Sequence, residues 1–327
     1  MTIAIVGATG LVGRTMLRVL EERDVACDAL RLFASGTSAG RTVETYRGPV
    51  VVESLESADL SGIDIALFSA GGSVSAEWAP RFAQAGAVVI DNSSYWRMAD
   101  DVPLVVPEVN AADALAHKGI IANPNCSTIQ LVVALWPLHK AFGIRRVVVS
   151  TYQSVSGAGQ KGVDQLADEI AGRTPSARIT SHDVAYNTVF HTIGELDAAS
   201  EEEQKMLRET RRIMHLPDLP MAVTCVRVPV LGGHGESVAI ETIEPCTPQQ
   251  ARDILAASPG IVVLDDPANA MYPTPRHSEQ RDEVFVGRVR QDASVAHGLL
   301  LWVVADNLRK GAATNAVQIA EYLTAHA

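Results

Sequence analysis

Thr2-Ile3-Ala4-Ile5-Val6, followed directly by Gly7-Ala8-Thr9-Gly10-Leu11-Val12-Gly13, is the stretch that decides the fold. The first five residues predict a short buried strand, and Arg14 to Arg23 carry a helical pattern. Strand, glycine turn and helix form the context of a dinucleotide fingerprint, because glycines let the backbone approach a pyrophosphate and the helix supplies N–H donors. The spacing is GxxGxxG rather than GxGxxG, so the alternative is a tight turn without a ligand.

Apolar segments continue to alternate with helical ones through the first part of the chain. The predicted elements are strands at 30–34, 49–53, 63–69 and 87–90 and a helix at 78–85. This alternation indicates a parallel sheet, and ligands bind beyond the carboxyl ends of such strands. The turns expected at that edge are 7–13, 35–38, 70–72 and 92–94.

After residue 123 strands follow one another with fewer helices between them. The predicted strands are 146–153, 222–230, 236–243, 284–289 and 299–305, and the predicted helices are 163–171 and 200–214. Such runs indicate an antiparallel or mixed sheet in a second domain. A last helix, at 311–322, is expected to return to the first domain.

Composition limits the classes of protein that fit. A chain of 327 residues with 47% hydrophobic residues is long enough for two domains with sizeable cores. Its net charge of −11 argues against nucleic acid or an anionic membrane as partner. Met1 leads directly into the first strand without a basic and apolar leader, and no apolar run approaches the roughly 20 residues of a membrane span.

Four widely separated cysteines form no CxxC pair: Cys27, Cys126, Cys225 and Cys246. A zinc site or a disulfide framework is therefore not expected, and the cytoplasm is the expected location.

Asn123-Pro124-Asn125-Cys126-Ser127-Thr128 places one of these cysteines at the start of an apolar helical run, Ile129 to Phe142. Asn, Ser and Thr favour helix starts because their side chains accept bonds from unpaired N–H groups of the first turn. A thiol there faces those N–H groups and the positive end of the helix dipole, which favour the nucleophilic thiolate. The alternative is a buried structural cysteine.

These motifs belong to a pattern that runs from end to end, and the chain closely resembles the bacterial aspartate-β-semialdehyde dehydrogenases. The stretches that carry the resemblance are GATGLVG at 7–13, FSAGG at 68–72, DNSSYWRM at 91–98, VPLVVPEVN at 102–110, NPNCSTIQ at 123–130, TYQSVSGAG at 151–159, EEEQKM at 201–206, RVPVLGGHGE at 227–236 and DNLRKGAATNAVQIAE at 306–321.

The resemblance implies a fold and an activity. The family makes L-aspartate β-semialdehyde by NADPH-dependent reductive dephosphorylation of L-β-aspartyl phosphate, for lysine, threonine, methionine and diaminopimelate biosynthesis. The implied fold class is α/β, with a Rossmann-type parallel-sheet domain plus an α+β catalytic and dimerisation domain. Residues 1–122 and 309–327 would form the NADP-binding domain, and residues 123–308 the catalytic domain of a homodimer. No metal is expected.

The chemistry requires a nucleophile that displaces phosphate, and the resulting thioester accepts hydride more readily than a carboxylate would. Cys126 is the expected nucleophile, and N–H groups at the helix start are candidates to stabilise the oxyanion. His234, in a glycine-flanked turn, is the expected acid/base, a role worth ~10²–10⁴ in rate; the alternative is a surface-loop histidine. Gln153 matches the glutamine that orients the intermediate, and its alternative is an ordinary strand-end amide.

The substrate carries an ammonium, a carboxylate and a phosphate, so an acidic protein must gather local positive charge around it. Arg227 matches the carboxylate-binding arginine of the family, which suits bidentate geometry. Arg97 and Lys205 match the phosphate-binding pair, with Asn125 nearby in the cysteine turn. Glu202 would meet the ammonium. The alternative for Glu202 and Lys205 is a solvated i,i+3 ion pair.

The resemblance also assigns residues to the cofactor. These are Gly7, Thr9, Gly10, Leu11, Val12, Gly13, Ser35, Thr37, Ser38, Ser69, Ala70, Gly71, Gly157 and Asn315.

The second strand ends without the Asp or Glu that an NAD site usually places there to bind the ribose 2′-hydroxyl. An acid would repel a 2′-phosphate, whereas Ser35, Thr37 and Ser38 can donate hydroxyl bonds and Arg41 can supply charge. NADP is therefore the expected cofactor. Many relatives carry an arginine where this chain has Thr37, so we expect a weaker preference and measurable use of NAD.

Three alternative assignments of function can be weighed against specific motifs of this sequence. Glyceraldehyde-3-phosphate dehydrogenase has the same architecture and a Cys–His pair, but its motifs differ from those here. N-Acetyl-glutamyl-phosphate reductase performs the homologous reaction one carbon longer, yet NPNCSTIQ and GHGE resemble the aspartate enzyme instead. Some relatives lack the cysteine and are silent binding proteins, whereas this chain retains Cys126, Gln153, Arg227 and His234.

Overall fold

The computed structural model describes residues 1–34, 36, 38–194 and 198–326. The chain divides into two compact units. The first unit consists of Met1–Asn125 together with Ala312–Ala327, and the second of Cys126–Gly311.

The first unit is built on a seven-stranded sheet in the order β3-β4-β2-β1-β5-β6-β7. Its elements are β1 Thr2–Val6, α1 Leu11–Glu22, β2 Ala29–Ala34, β3 Thr42–Thr45, β4 Gly48–Ser54, β5 Ile65–Phe68, α2 Gly72–Gln84, β6 Val88–Asp91, α3 Pro107–Asn110, β7 Ile120–Ala122 and α9 Thr314–Ala325. All neighbouring strands pair in parallel except β3 and β4, which form a hairpin. The strand order reverses at β1, which lies between β2 and β5.

The glycine turn after β1 lies at this point of reversal. Gly7 has φ +89°, and a Cβ there would overlap the carbonyl of Ser69, the residue that follows β5. A Cβ on Gly13 would in turn overlap the carbonyl of Gly7. Glycine is therefore required sterically at both positions, and α1 begins immediately after Gly10.

A large core cluster of the first unit packs against the central strands of its sheet. Ile3 and Ile5 of β1 and Leu67 of β5 are fully buried, in one cluster with Val317 and Ile319 of α9. The last helix therefore packs in the first unit, although some 190 residues of chain precede it in the second.

The second unit contains a seven-stranded mixed sheet in the order β12-β13-β14-β11-β8-β10-β9. Its elements are α4 Cys126–Phe142, β8 Ile144–Gln153, α5 Gln160–Ile170, β9 Val189–Phe190, α6 Glu201–Ile213, β10 Met221–Arg227, β11 His234–Thr242, α7 Pro248–Ala256, β12 Ile261–Val263, α8 Pro275–Ser278, β13 Val284–Asp292 and β14 Gly298–Ala305. The parallel pairs are β8–β10 and β12–β13, and the other pairs are antiparallel. The expected α/β class, with a parallel-sheet domain and a separate mixed-sheet domain, is confirmed.

Several boundaries differ from the sequence prediction. Helix α2 begins at Gly72, six residues before the predicted start at residue 78. The prediction missed its first turn because that turn contains glycine and serine, which have low helix propensity. Strands β3 and β7 were not predicted, because they have only four and three residues. Helix α7 was also missed, although Thr247 and Gln250 form a capping box at its start.

No helix in the part of the chain that the structure describes combines the length and the apolar character needed to cross a bilayer.

Candidate active site

Cys126 and His234 meet in the second unit, although 108 positions separate them in sequence. Cys126 is the first residue of α4, and His234 is the first residue of β11. The Cys126 Sγ lies 3.2 Å from the His234 Nε2. His234 is fully buried and Cys126 is half-buried. The structure thus brings the expected nucleophile and the expected acid/base into contact.

The other ring nitrogen of His234 fixes its tautomer. His234 Nδ1 accepts a hydrogen bond from the Ser154 backbone N–H at 3.0 Å. A backbone N–H only donates, so Nδ1 is unprotonated and the neutral ring carries its hydrogen on Nε2, facing Cys126. Burial lowers the pKa of His234 to about 3, and the positive charge of Arg227 acts in the same direction. The ring is therefore neutral at pH 7 and offers an N–H to the sulfur.

Ser154 is held in place by Asn307, which follows β14. The Ser154 hydroxyl donates to Asn307 Oδ1 at 3.1 Å, and the same oxygen accepts the Gly233 N–H at 2.9 Å. Asn307 Nδ2 donates to Ser156 Oγ at 3.0 Å. Sequence analysis did not single out Ser154, Ser156 or Asn307, although all lie in motifs that carry the family resemblance.

Two glycines border the reacting pair. A Cβ on Gly157 would lie 3.3 Å from the Cε1 and Nε2 atoms of His234. A Cβ on Gly311 would lie 2.8 Å from the Cβ of Cys126, closer than real Cβ contacts allow. Gly157 was predicted as a cofactor residue, whereas Gly311 was read only as the start of a helix. The absence of a side chain at Gly311 allows the backbone to pack directly on the nucleophile.

Gln153, Glu202 and Lys205 form a polar chain beside this pair. Gln153 is buried, and its Nε2 donates to Glu202 Oε1 at 3.1 Å. The Lys205 Nζ lies 3.7 Å from Glu202 Oε2. The i,i+3 ion pair of the alternative reading therefore exists. Glu202 is nevertheless buried and bonded to Gln153 rather than solvated.

Arg227 ends β10 and lies opposite Gln153 in the register with β8. Its Nη1 donates to the Ser154 carbonyl at 2.6 Å, and its Nη2 lies 3.5 Å from His191 Nδ1. Burial lowers the pKa of Arg227, and Glu202 opposes that effect. Burial also lowers the pKa of His191 to about 4, so this histidine, which the sequence analysis missed, is neutral beside the guanidinium.

Arg97 and Asn125 lie in the first unit, as does Asn315. Arg97 is buried, with Nε donating to the Asn123 carbonyl at 3.0 Å and Nη2 to the Asn92 carbonyl at 2.8 Å. The Asn315 amide donates to Asn123 Oδ1 at 2.7 Å. Asn125, also buried, is the last residue before Cys126. These bonds fix the turn at Asn123 from three sides.

The remaining cofactor residues predicted from sequence lie in turns of the first unit or, for Leu11, Val12 and Gly13, in the first turn of α1. They follow the carboxyl ends of β1 and β5, except Ser38, which lies in the turn after β2. Those after β1 and β5 are Gly7, Thr9, Gly10, Leu11, Val12, Gly13, Ser69, Ala70 and Gly71. Ser35 and Thr37 lie outside the described residues.

The four cysteines are free. Burial raises the pKa of the Cys225 thiol, and it raises that of Cys246 to about 11. Among the residues whose placement is described, no three or more His, Cys, Asp or Glu side chains are grouped so that they could hold a metal ion.

Comparison with known proteins agrees with this geometry. Residues 2–117 match the family described as semialdehyde dehydrogenase, NAD binding domain, and residues 135–310 match semialdehyde dehydrogenase, dimerisation domain. The chain is 54% identical to the aspartate-semialdehyde dehydrogenase of Aquifex aeolicus, over 98% of this chain and 97% of the relative. It is 47% identical to the Bacillus subtilis enzyme of the same name, over 98% and 96%.

Solved structures give the same assignment. Aspartate semialdehyde dehydrogenase II from Vibrio cholerae, complexed with ASA, is 48% identical with a TM-score of 0.94, over 99% of this chain and 98% of that one. The Candida albicans enzyme, solved with NADP, is 25% identical with a TM-score of 0.75, over 99% and 98%. This chain belongs to the aspartate-semialdehyde dehydrogenase family.

Proposed function

We propose that this chain is an NADP-dependent oxidoreductase that reduces L-β-aspartyl phosphate to L-aspartate β-semialdehyde with release of phosphate, for lysine, threonine, methionine and diaminopimelate biosynthesis. The observation that carries the proposal is the contact between Cys126 and His234, at 3.2 Å, in a chain of this family. The NPNCSTIQ and GHGE stretches resemble the aspartate enzyme rather than an N-acetyl-glutamyl-phosphate reductase, and the retained Cys126 opposes a silent paralogue.

The proposed reaction passes through a thioester on Cys126. The Cys126 thiolate attacks the acyl carbon, the carbon–oxygen bond to phosphate breaks, and inorganic phosphate leaves. When bound, the cofactor supplies the hydride that reduces this thioester. The resulting tetrahedral anion expels the Cys126 thiolate as the aldehyde forms, which regenerates the nucleophile. Throughout, the His234 N–H faces the sulfur and can donate to a thiolate or a nearby oxyanion.

The glycine turn fits a bound dinucleotide. Side chains are sterically excluded at Gly7 and Gly13, and α1 begins at the end of this turn, so backbone N–H groups can reach a pyrophosphate. We assign NADP to the turns after β1, β2 and β5 as predicted from sequence, with Gly157 and Asn315 as further contacts. Residues 1–122 and 309–327 are thus proposed as the cofactor domain, and residues 123–308 as the catalytic domain.

In this proposal, each charged side chain binds a different charged group of the substrate. Arg227 binds the α-carboxylate, and Glu202 binds the ammonium. Gln153 orients the acyl group, because its hydrogen bond to Glu202 fixes the position of its side chain. Arg97 and Lys205 bind phosphate with Asn125. The roles of Arg97 and Asn125 rest on the family resemblance.

The dimerisation domain that matches residues 135–310 makes the active form a homodimer. A cytoplasmic location is proposed, in keeping with four free cysteines and no disulfide among the described residues.

An assay in the oxidative direction tests the activity. Purified protein with aspartate semialdehyde, NADP and inorganic phosphate should form NADPH, and omitting phosphate should stop it. Faster turnover of N-acetylglutamate semialdehyde would assign the longer substrate instead. Absence of turnover with either aldehyde would identify a silent paralogue.

We expect Arg227→Leu and Lys205→Leu chiefly to raise KM, because a charge that clamps substrate acts largely on binding. Varying phosphate and semialdehyde separately distinguishes them. Loss of Lys205 should raise the KM for phosphate most, and loss of Arg227 the KM for semialdehyde. Lys161→Leu, at an exposed lysine of α5, is the control and should change neither constant. Unchanged constants in both test variants would remove these two assignments.

We expect kcat/KM to favour NADP over NAD, with measurable NAD use, since no acid follows β2 but the arginine common in relatives is replaced by Thr37. Thr37→Arg should increase the ratio, because a charge-assisted bond to the 2′-phosphate is restored. Thr37→Gln, of similar length without charge, is the matched control. A native preference for NAD would show that absence of the acid does not set the choice.

A further inference from the structure

Glu236 is a fully buried carboxyl group that the proposed reaction does not use. It lies on β11, two residues after His234, so both side chains lie on the same face of the sheet. In the described part of the chain, neither of its carboxyl oxygens has a hydrogen-bond partner. An ionised carboxylate in that position would have lost its hydration shell without gaining hydrogen bonds in exchange, which is strongly unfavourable.

Gln130 is the complementary group. It lies one turn after Cys126 on α4, a helix that packs against β11. Its Nε2 donates to the His234 carbonyl at 3.4 Å, whereas its Oε1 accepts no hydrogen bond from any described residue. Gln130 is the neighbour that acts on the Glu236 carboxyl, where it lowers the pKa, while burial raises that pKa by more.

One proton on Glu236 satisfies both groups. A carboxylic acid has an O–H donor, and the Gln130 Oε1 is an acceptor without a donor. The second N–H of the Gln130 amide remains for the carbonyl oxygen of the acid. The alternative, an anion beside the same amide, leaves most lone pairs of the carboxylate unsatisfied and the Gln130 Oε1 still without a donor.

We propose that Glu236 is a neutral acid that pairs with Gln130, and that this pair positions β11 and α4 so that His234 meets Cys126. Each member of the pair is close in sequence to one reacting residue. Gln130 lies four residues after Cys126 on α4, and Glu236 lies two residues after His234 on β11. Both are positioning residues. The kinetic readout rests on the proposed function, whereas the stability readout does not.

The surroundings of Glu236 favour the neutral form. Opposite it lie Thr151 of β8 and Val303 of β14, neither of which ionises at ordinary pH. Strand β14 carries no ionisable residue, and Arg145 and Arg146 lie at the far end of β8, while Tyr152 alternates to its other face. The ionisable groups of α4, β10 and β11 nearest in position are Cys126, Cys225 and His234.

Burial raises the pKa of Glu236 well above its ordinary range. A group whose pKa is higher in the folded state contributes stability below its unfolded pKa, and this stability is lost as pH rises toward the folded value. Glu236→Gln, which is neutral at every pH, should therefore gain Tm relative to the wild type, and the gain should grow between pH 5 and pH 8. Glu244→Gln, at an exposed glutamate just beyond β11, is the matched control and should show no such trend.

The kinetic arm compares Glu236→Gln with Glu236→Leu and Gln130→Leu. The glutamine variant should keep kcat within roughly threefold, because an amide can replace the acid in the pair. Each leucine variant should lower kcat roughly ten- to hundredfold with little change in KM, because a small misplacement of the reacting groups is costly. If a leucine variant does not fold, Gln130→Met takes its place.

The outcomes separate the proposal from its alternatives. Equal losses of kcat in Glu236→Gln and Glu236→Leu would mean that the negative charge of Glu236 is needed, and would overturn the neutral pair. A Tm gain in Glu236→Gln that does not grow with pH would overturn it as well. Normal kcat in Gln130→Leu would remove the positioning role. If the wild type has no dehydrogenase activity, the rate of Cys126 alkylation replaces kcat, so failure of the proposed function leaves this test intact.

Discussion

We expect Cys126→Ser to lower kcat by a factor on the order of 10³ or more. A serine hydroxyl in the same place stays protonated at neutral pH, and an ester accepts hydride less readily than a thioester. Initial rates in the phosphate-dependent assay measure the loss. Cofactor binding, followed by fluorescence titration, should be retained because the glycine turn belongs to the first unit.

Alkylation provides an independent check on Cys126. Iodoacetamide should label Cys126 first, since it is half-buried whereas Cys27, Cys225 and Cys246 are buried. Burial also raises the pKa values of the Cys225 and Cys246 thiols, which lowers their thiolate fraction further. Cys246→Ser is the matched control and should keep both turnover and rapid labelling. Near-normal turnover in Cys126→Ser would contradict the thioester mechanism.

The sequence predicted the first unit well because its signals are local. The glycine turn follows from steric exclusion at Gly7 and Gly13, which leaves a direct mark in the sequence. The start of α4 at Cys126 likewise follows from the Asn-Pro-Asn turn before it. Short pieces such as β7 carry too few residues for a periodic pattern, and parallel pairing with β6 rather than propensity makes them strands.

The site was predicted less completely, because its supporting residues act through distant backbone contacts. Ser154 matters through its backbone N–H to His234, which no residue type signals in a sequence. Asn307 lies some 150 residues from the serines that it contacts. A glutamate is ordinarily expected on the surface, and only the packing of the folded chain shows that Glu236 is buried.

The neutral state of His234 changes how its role is tested. A histidine that acts as an acid/base ordinarily has a pKa near 6.5, but burial lowers the pKa of His234 to about 3. Profiles of kcat/KM should therefore show no acid limb near pH 6.5 from this residue. A limb there that disappears in His234→Gln would contradict the buried neutral ring.

The pH dependence of the unfolding free energy reports on the pKa of His234 without an activity assay. A group with a depressed folded pKa contributes stability above its unfolded pKa, and loses it as pH falls toward the folded value. His234 should therefore cost the wild type about 2 kcal/mol of unfolding free energy between pH 7 and pH 5, from an unfolded pKa near 6.5. His234→Gln should lose less over the same interval, as urea titrations at the two pH values would measure.

We expect His234→Ala to lower kcat by ~10²–10⁴ with little change in KM, because the residue acts on the reacting sulfur and oxygen rather than on substrate charge. His234→Gln separates two modes of action. If His234 transfers a proton, the amide should be as poor as alanine, since it cannot exchange one at neutral pH. If the Nε2–H acts as a fixed donor, the glutamine N–H should recover part of the rate. The hydrogen bond from the Ser154 backbone N–H to Nδ1 favours the second result. If Nδ1 were protonated, its N–H would point at the Ser154 N–H, and neither donor would have an acceptor.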